Sequence, residues 1–127
     1  MGSLDSRVSL RLKRAHQALK VAKIVYEAQF FTDSLSKSYY AIFYAAGAAL
    51  ESIGIQTKRH ATTIQKFNEH FVKNGKVDKE HYLTLSNAFR TRNLADYELT
   101  WDTEEEEVKD QLKRAEEFIK VIEQMLK

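Results

Sequence analysis

Residues Ser38 to Leu50 read SYYAIFYAAGAAL and form the longest stretch of the chain without a charged residue. A helix through this stretch is apolar on every face, which is typical of a helix inside a bundle or in an interface between subunits. Buried tyrosines also need partners for their hydroxyl groups. The small side chains that would let neighbouring helices approach closely are Ala41, Ala45, Ala48 and Ala49.

The composition favours long helices over strands. The 127 residues include four glycines and no proline, whereas a β-rich chain uses both residues in its many turns. The absence of cysteine excludes disulfides, thiolate nucleophiles and cysteine-ligated zinc. The uncharged stretch is shorter than the ~20 residues that span a bilayer, so we expect no membrane segment. A cytoplasmic location is the simplest expectation.

Apolar periodicity predicts five helices, because apolar residues recur at steps of three and four. Asp33 or Ser34 is expected to cap the second helix, Asp78 the fourth, and Thr103 with Glu106 the fifth as a capping box. Gly54 is a natural C-cap for the second helix. The predicted helices cover about Ser6–Phe30, Asp33–Ile53, Ala61–Val72, Lys79–Asp96 and Thr103–Leu126.

Charge is nearly balanced overall, at +2, but it is distributed unevenly. Lysine and arginine predominate in residues 1–27 and acids in residues 98–127. The acidic end can fold back against the basic start, so any RNA contact should be local rather than chain-wide. Glutamates 104–107 suit the N-terminal end of a helix dipole and need no metal or substrate to explain them.

The fourth helix contains a conflict between pattern and chemistry. Its apolar stripe of Tyr82, Leu85 and Phe89 continues, at the same steps, to Arg92 and Asp96. Because an unpaired buried charge is strongly disfavoured, we expect both residues to turn inward and pair. An acid at the C-terminal end of a helix opposes the helix dipole, so helix stability alone does not explain Asp96.

A second polar face emerges at the same helix end. Arg90, Asn93 and Tyr97 share that face at spacings of three and four residues. A cleft beside them would offer a guanidinium, an amide and a phenol to a phosphate group. The residues alone leave two interpretations open: a phosphate-binding site, or a buried charge pair that ties the helix end to its neighbours.

Four short motifs in order give the chain a resemblance. The sequence resembles the HEPN family (higher eukaryotes and prokaryotes nucleotide-binding), and most closely its small stand-alone prokaryotic branch. The resemblance covers roughly residues 6–126. Its motifs are Ser38–Ala46, Gly54-Ile55 followed by Lys58-Arg59-His60, Phe71–Gly75, and Arg92–Tyr97.

The resemblance implies one HEPN-like domain over residues 1–127, all-α, a four-helix up-and-down bundle with one additional short helix. It also implies a homodimer, and often a small nucleotidyltransferase partner, as in toxin–antitoxin couples. The Tyr/Ala-rich second helix supports a dimer, because it would expose a large apolar surface in a lone thin bundle. Many HEPN proteins are metal-independent ribonucleases with an R-x(4–6)-H motif at the end of the fourth helix.

This chain departs from the ribonuclease motif. Arg90 matches the motif arginine, but Ala95 occupies the position of the histidine, and alanine cannot move a proton. Asp96 could only partly substitute, because a paired carboxylate is a weak base. Arg90 and Asp96 are therefore the catalytic candidates of this helix end, and the canonical proton acceptor is absent from it.

Three functions are compatible with these observations. The first is a dimeric toxin–antitoxin-like module that binds nucleotide or RNA phosphate, a nucleotidyltransferase, or both; the second is an endoribonuclease with an atypical acid–base residue. The third is a structural dimerisation domain. No metal or cofactor is expected, since the histidines lack paired ligand spacing. The binding candidates are Arg90, Arg92, Asn93, Tyr97, Tyr40 and His60.

Overall fold

The computed structural model describes residues 3–98 and 102–127. These residues form helices and no strands, so the predicted all-α class is confirmed. No helix in the described ranges is long and apolar enough to cross a membrane. A π-helical turn, Asn68–Val72, extends the short third helix. The α-helices are α1 (Ser3–Glu27), α2 (Phe31–Glu51), α3 (His60–Phe67), α4 (Lys79–Tyr97) and α5 (Glu105–Met125).

Helix α2 lies at the centre and packs against α1, α3, α4 and α5. The alanines at 41, 45, 48 and 49 are fully buried, as their small size predicted. The chain itself therefore covers most of the uncharged stretch. The expectation that this stretch exposes a large apolar surface is wrong, because other helices of the same chain bury all of it except Tyr40, Phe43 and Tyr44, which are half-buried.

A buried carboxylate ties the end of α2 to α1. Glu51 is 1% exposed, and its oxygens accept from Arg11 Nε at 3.2 Å and from Gln56 Nε2 at 3.0 Å. Arg7 Nη1 lies 3.5 Å from the same carboxylate. Arg11 reaches it by passing over Gly47, where an added Cβ would lie 3.0 Å from Arg11 Nη1. A glycine at this position therefore leaves room for the arginine.

Helix α1 also packs against α5, and the two are joined by polar contacts that confirm the expected folding back of the acidic end. The His16–Glu123 contact is 3.0 Å long. Tyr26 donates a 2.6 Å hydrogen bond to Glu105, which raises the pKa of Tyr26 to about 12. The paired residues are His16 with Glu123, Lys23 with Glu116 and Tyr26 with Glu105.

The start of α2 differs from the sequence prediction. The residue before its first turn is Phe30, and neither Asp33 nor Ser34 caps the helix. Ser34 is instead buried inside α2, where its hydroxyl donates to the carbonyl of Ala22 on α1 at 2.9 Å. Serine favours caps and turns when local contacts decide its position. At position 34 the hydrogen bond to α1 outweighs that preference.

The predicted capping box of α5 is also wrong. Glu104, not Thr103, precedes the first turn, and no side chain caps it. Thr103 forms a 2.9 Å hydroxyl contact with Thr32 near the start of α2. Residues 105–107 do lie in the first turn, as the helix-dipole argument predicted. Asp78 precedes α4 as expected, but without a side-chain capping bond.

The two glycine signals are confirmed. Gly54 adopts a φ of +79° just beyond α2, and Ile55 N–H bonds back to the carbonyl of Leu50 at 2.9 Å. Gly75 adopts a φ of +78° in the predicted Asn74-Gly75 turn. Both backbone conformations favour glycine over residues with a Cβ.

Candidate functional site

The guanidinium of Arg92, on α4, packs against two tyrosines of α2. Its Cζ lies 5.3 Å from the ring centroid of Tyr39 and 5.6 Å from that of Tyr40. The Arg92 side chain is only 10% exposed. A cation that has lost most of its water gains more from ring faces than an exposed one does. We call Tyr39, Tyr40, His60, Arg92 and Asp96 the Arg92 cluster.

The predicted pairing of Arg92 with Asp96 is confirmed, with 3.6 Å between Nη1 and Oδ2. The expectation that both charges turn inward is correct for Arg92 and wrong for Asp96, whose side chain is 33% exposed. The last turn of α4 leaves Asp96 at the edge of the fold, in contact with solvent. Water screens such a pair, so it contributes little to stability.

Arg92 also has an unused donor. Its Nε is buried and has no hydrogen-bond partner among the described residues. Its Nη1 donates to the hydroxyl of Tyr97 at 3.5 Å, the long limit of a hydrogen bond. Burial works to lower the pKa of Arg92, but Tyr40, Tyr39, Tyr97 and Asp96 raise it, and the net shift is upward. The group is therefore a fixed cation.

His60 opens α3 and forms a hydrogen bond between its Nδ1 and the hydroxyl of Tyr39. Its ring stacks on Phe43, with 4.3 Å between centroids and 12° between planes. Burial, and then the charge of Arg92, lower the pKa of His60, so the imidazole is neutral near pH 7. Burial raises the pKa of Tyr39, which keeps its hydroxyl proton.

Arg90, Asn93 and Tyr97 line one open recess of about 550 Å³, on the shared face that their spacing predicted. Arg90 and Tyr97 are exposed, and Asn93 is half-buried. Within the described ranges, Arg90 has no carboxylate within 4.0 Å. We call this the Arg90 recess; its remaining lining residues are Phe89, Leu94 and Glu98.

The six predicted binding residues thus divide into two groups. Arg92, Tyr40 and His60 belong to the Arg92 cluster, and the other three line the Arg90 recess. The Tyr97 hydroxyl joins the groups through Arg92. Sequence reasoning missed Tyr39, although a tyrosine inside an apolar helix signals a hydroxyl that needs a partner.

The chemistry of both groups suits an anion. Guanidinium, amide and phenol groups donate hydrogen bonds to phosphate or carboxylate oxygens. In the part of the chain that the structure describes, no three histidine or acidic side chains lie close enough together to hold a metal ion. The donors at the end of α4 suit an anionic ligand.

The sequence of this all-helical chain matches a known family of domains. The HEPN domain family matches residues 8–125, and the chain belongs to this family. The resemblance seen in the four motifs is thereby confirmed.

Relatives of similar length support the assignment. The chain is 34% identical to a UPF0332 protein of Thermotoga maritima, over 90% of this chain and 86% of the relative. It is 33% identical to a Methanocaldococcus jannaschii protein named "Putative toxin MJ0605", over 98% of this chain and 92% of the relative. A UPF0332 protein of Gloeobacter violaceus is 38% identical over 68% of each chain.

The structure predicts that Arg92 stabilises the fold chiefly through its buried ring contacts. Arg92→Ala should lower the free energy of unfolding by about 2 kcal/mol, the scale of a cation–π contact that is largely removed from water. Asp96→Asn should cost less than about 1 kcal/mol, because that carboxylate is partly exposed. Urea denaturation followed by circular dichroism measures both.

Arg90→Ala is the matched control, since it removes an exposed arginine two residues away and should cost less than about 0.5 kcal/mol. An Asp96→Asn loss as large as that of Arg92→Ala would show that the ion pair dominates. A small loss for Arg92→Ala would contradict the stabilising role of the tyrosine contacts.

Proposed function

We propose that this chain is the HEPN module of a toxin–antitoxin-like pair and that it binds the phosphate of a nucleotide or RNA in the Arg90 recess. Two relatives from Methanocaldococcus jannaschii have the word toxin in their names, and one of them aligns with 98% of this chain. These names and the HEPN family support the class of function. The recess supports the chemistry.

The observation that carries the proposal is the convergence of three donors on one recess. Arg90 supplies an exposed guanidinium without a nearby carboxylate in the described residues, and Asn93 supplies an amide. The Tyr97 side chain is 73% exposed and offers both a hydroxyl and a ring face. A guanidinium binds phosphate oxygens in pairs, and an exposed ring stacks on an unpaired base.

The Arg92 cluster anchors the part of α4 that carries the recess. Arg92 is too buried to reach a ligand freely, so its role is to hold the last turns of α4 against Tyr39 and Tyr40. A site held on a fixed helix binds with a smaller entropic cost than a mobile one. Direct contacts with a ligand in the recess are thus assigned to Arg90, Asn93 and Tyr97, and Arg92, packed on Tyr40, positions them.

Loss of the Arg90 guanidinium should weaken ligand binding. Arg90→Ala should weaken the binding of uridine monophosphate and short RNA about tenfold, in line with the loss of one charge-assisted contact. Wild-type affinity should also fall as salt rises, because phosphate contacts release counterions. Calorimetric titration at two salt concentrations measures both effects.

Lys79→Ala provides the control, because it removes one exposed charge at the opposite end of the same helix. Its affinity should stay within about twofold of wild type. Equal losses in the two variants would exclude a specific site at Arg90. No binding of any nucleotide or RNA would favour the alternative of a structural dimerisation domain.

A second candidate function, metal-independent RNA cleavage, is favoured by the position of His60. The neutral ring lies in the Arg92 cluster, and within the described residues its Nε2 has no hydrogen-bond partner. If Nδ1–H donates to Tyr39, then Nε2 is free to accept a proton from a ribose hydroxyl. His60 would thereby supply the proton acceptor that the motif places at position 95, where this chain has alanine. Arg90 and Asp96 remain the other candidates.

The cleavage hypothesis predicts activity in the presence of a chelator, and loss of it in His60→Asn. Because burial and the charge of Arg92 lower the pKa of His60, the midpoint of the decline in rate at acid pH should lie below that of an ordinary histidine. His16→Asn, at an exposed histidine, should cleave like wild type. Intact RNA with wild-type protein, or full activity in His60→Asn, would contradict this hypothesis.

We also propose a homodimer and an antitoxin partner, for which a nucleotidyltransferase is the expectation from the family resemblance. Two apolar side chains lie exposed near the end of α1: Ile24 is 58% exposed and Phe30 is 59% exposed. Ile24 lies in the last turn of α1 and Phe30 follows that helix by three residues, so both lie at the same end of α1. The proposed dimer therefore rests on these two exposed side chains and not on α2.

Sedimentation equilibrium at micromolar concentration should give twice the 14.8 kDa chain mass. The double variant Ile24→Lys/Phe30→Lys should shift the protein towards monomer, because it places like charges on the apolar surface. Lys13→Glu, on an exposed position of α1, should leave the dimer intact. A monomeric wild-type protein would contradict the dimer.

A further inference from the structure

A basic groove runs between α1 and α2, outside the Arg90 recess. Two cavities of about 380 Å³ and 670 Å³ adjoin there, and they share Arg14 and Tyr44 in their linings. Arg7 and Arg11 line the first cavity, and Lys37 with Tyr40 lines the second. We call the two cavities together the α1–α2 groove.

The charge of the groove is only partly neutralised. The carboxylate of Glu51 pairs with both Arg7 and Arg11. Arg14 and Lys37, which are exposed, have no carboxylate within 4.0 Å among the described residues. Four cations therefore face one buried acid, and their summed field favours an extended polyanion over a single small anion.

Two tyrosines provide surfaces for stacking along the same groove. Tyr40 and Tyr44 lie one helical turn apart on α2, with 6.1 Å between their ring centroids, and both are half-buried. Arg92 packs 5.6 Å from the Tyr40 ring and holds it in place. Proteins that bind single-stranded nucleic acids combine cations with aromatic rings, because unpaired bases stack on the rings while arginines contact the phosphates.

The groove is connected to the Arg90 recess through side chains. Tyr40 lines the groove and contacts Arg92, and Arg92 in turn donates to the hydroxyl of Tyr97, which lines the recess. The groove and the recess therefore lie on either side of one buried guanidinium.

We propose that the α1–α2 groove is a binding track for single-stranded RNA, with phosphates on Arg14 and Lys37 and bases on Tyr40 and Tyr44. This inference rests on the proposed function, because it extends the ligand of the Arg90 recess to a strand of several nucleotides. An acidic peptide is a weaker fit, since its carboxylates would use the cations but leave the tyrosine ring faces without a stacking partner.

The test compares two double variants of equal charge. Arg14→Ala/Lys37→Ala removes two exposed cations from the groove, whereas Lys13→Ala/Lys20→Ala removes two exposed cations of α1 that line neither cavity. The probe is a fluorescent 12-nucleotide oligouridylate, and anisotropy is measured at several salt concentrations. Thermal unfolding confirms that each variant is folded.

The groove variant should bind the oligonucleotide at least about tenfold more weakly. The slope of the logarithm of its binding constant against the logarithm of salt concentration should become shallower by about 1.4, because two phosphate contacts are lost. The control variant should stay within about twofold of wild type. Tyr44→Leu, which keeps an apolar side chain but removes the ring, should weaken binding by about tenfold without changing the salt dependence.

Equal weakening in the two double variants would overturn the proposal, because long-range charge alone would then explain binding. Binding of blunt duplex RNA as tight as that of the single strand would also overturn it. A groove variant that binds the oligonucleotide normally would overturn it as well. If that same variant had lost binding of a co-expressed antitoxin partner, the groove would be assigned to a protein.

Uridine monophosphate separates this inference from the proposed function. If Arg90→Ala weakens the mononucleotide but the groove variant leaves the oligonucleotide unaffected, the recess stands and the groove fails. If the groove variant weakens the oligonucleotide while Arg90→Ala changes neither ligand, the groove stands and the recess fails.

Discussion

The packing of the Arg92 guanidinium against Tyr39 and Tyr40 is the contact on which the functional end of the molecule depends. A cation that is about nine-tenths removed from water needs compensation, and the two ring faces with a partly exposed carboxylate supply it. Since the tyrosines belong to the central helix, this contact ties the C-terminal part of α4 to α2. The polar face of Arg90, Asn93 and Tyr97 lies on the same part of α4.

The same pair of tyrosines shows how one helix serves both packing and chemistry. Alanines around them let α1, α4 and α5 approach α2 closely, and the two rings contact Arg92 of α4. Tyr39 is fully buried and orders His60 through its hydroxyl, whereas Tyr40 is half-buried and borders the α1–α2 groove. A single residue step along α2 thus separates an interior group from a surface group.

Most of the helical architecture and part of the site could be predicted from the sequence. Helical periodicity placed Arg92 inward and put Arg90 with Asn93 and Tyr97 on another face, because positions on one helix are related by fixed rotation. The His60–Tyr39 contact joins residues 21 positions apart on different helices, and local patterns do not encode it. The caps failed for a related reason: Ser34 follows a tertiary partner rather than its local preference.

Helix α1 has two electrically different sides. Towards α5, its cations meet acids directly, as in Lys23 with Glu116; towards α2, Glu51 is the single acid that several arginines share. The net charge of the whole chain, +2, therefore does not show that the α2 side of α1 is basic while its α5 side is neutralised by acids. Added electrolyte should act in opposite senses on the two sides, loosening the attraction to α5 while relieving the mutual repulsion among the arginines near α2.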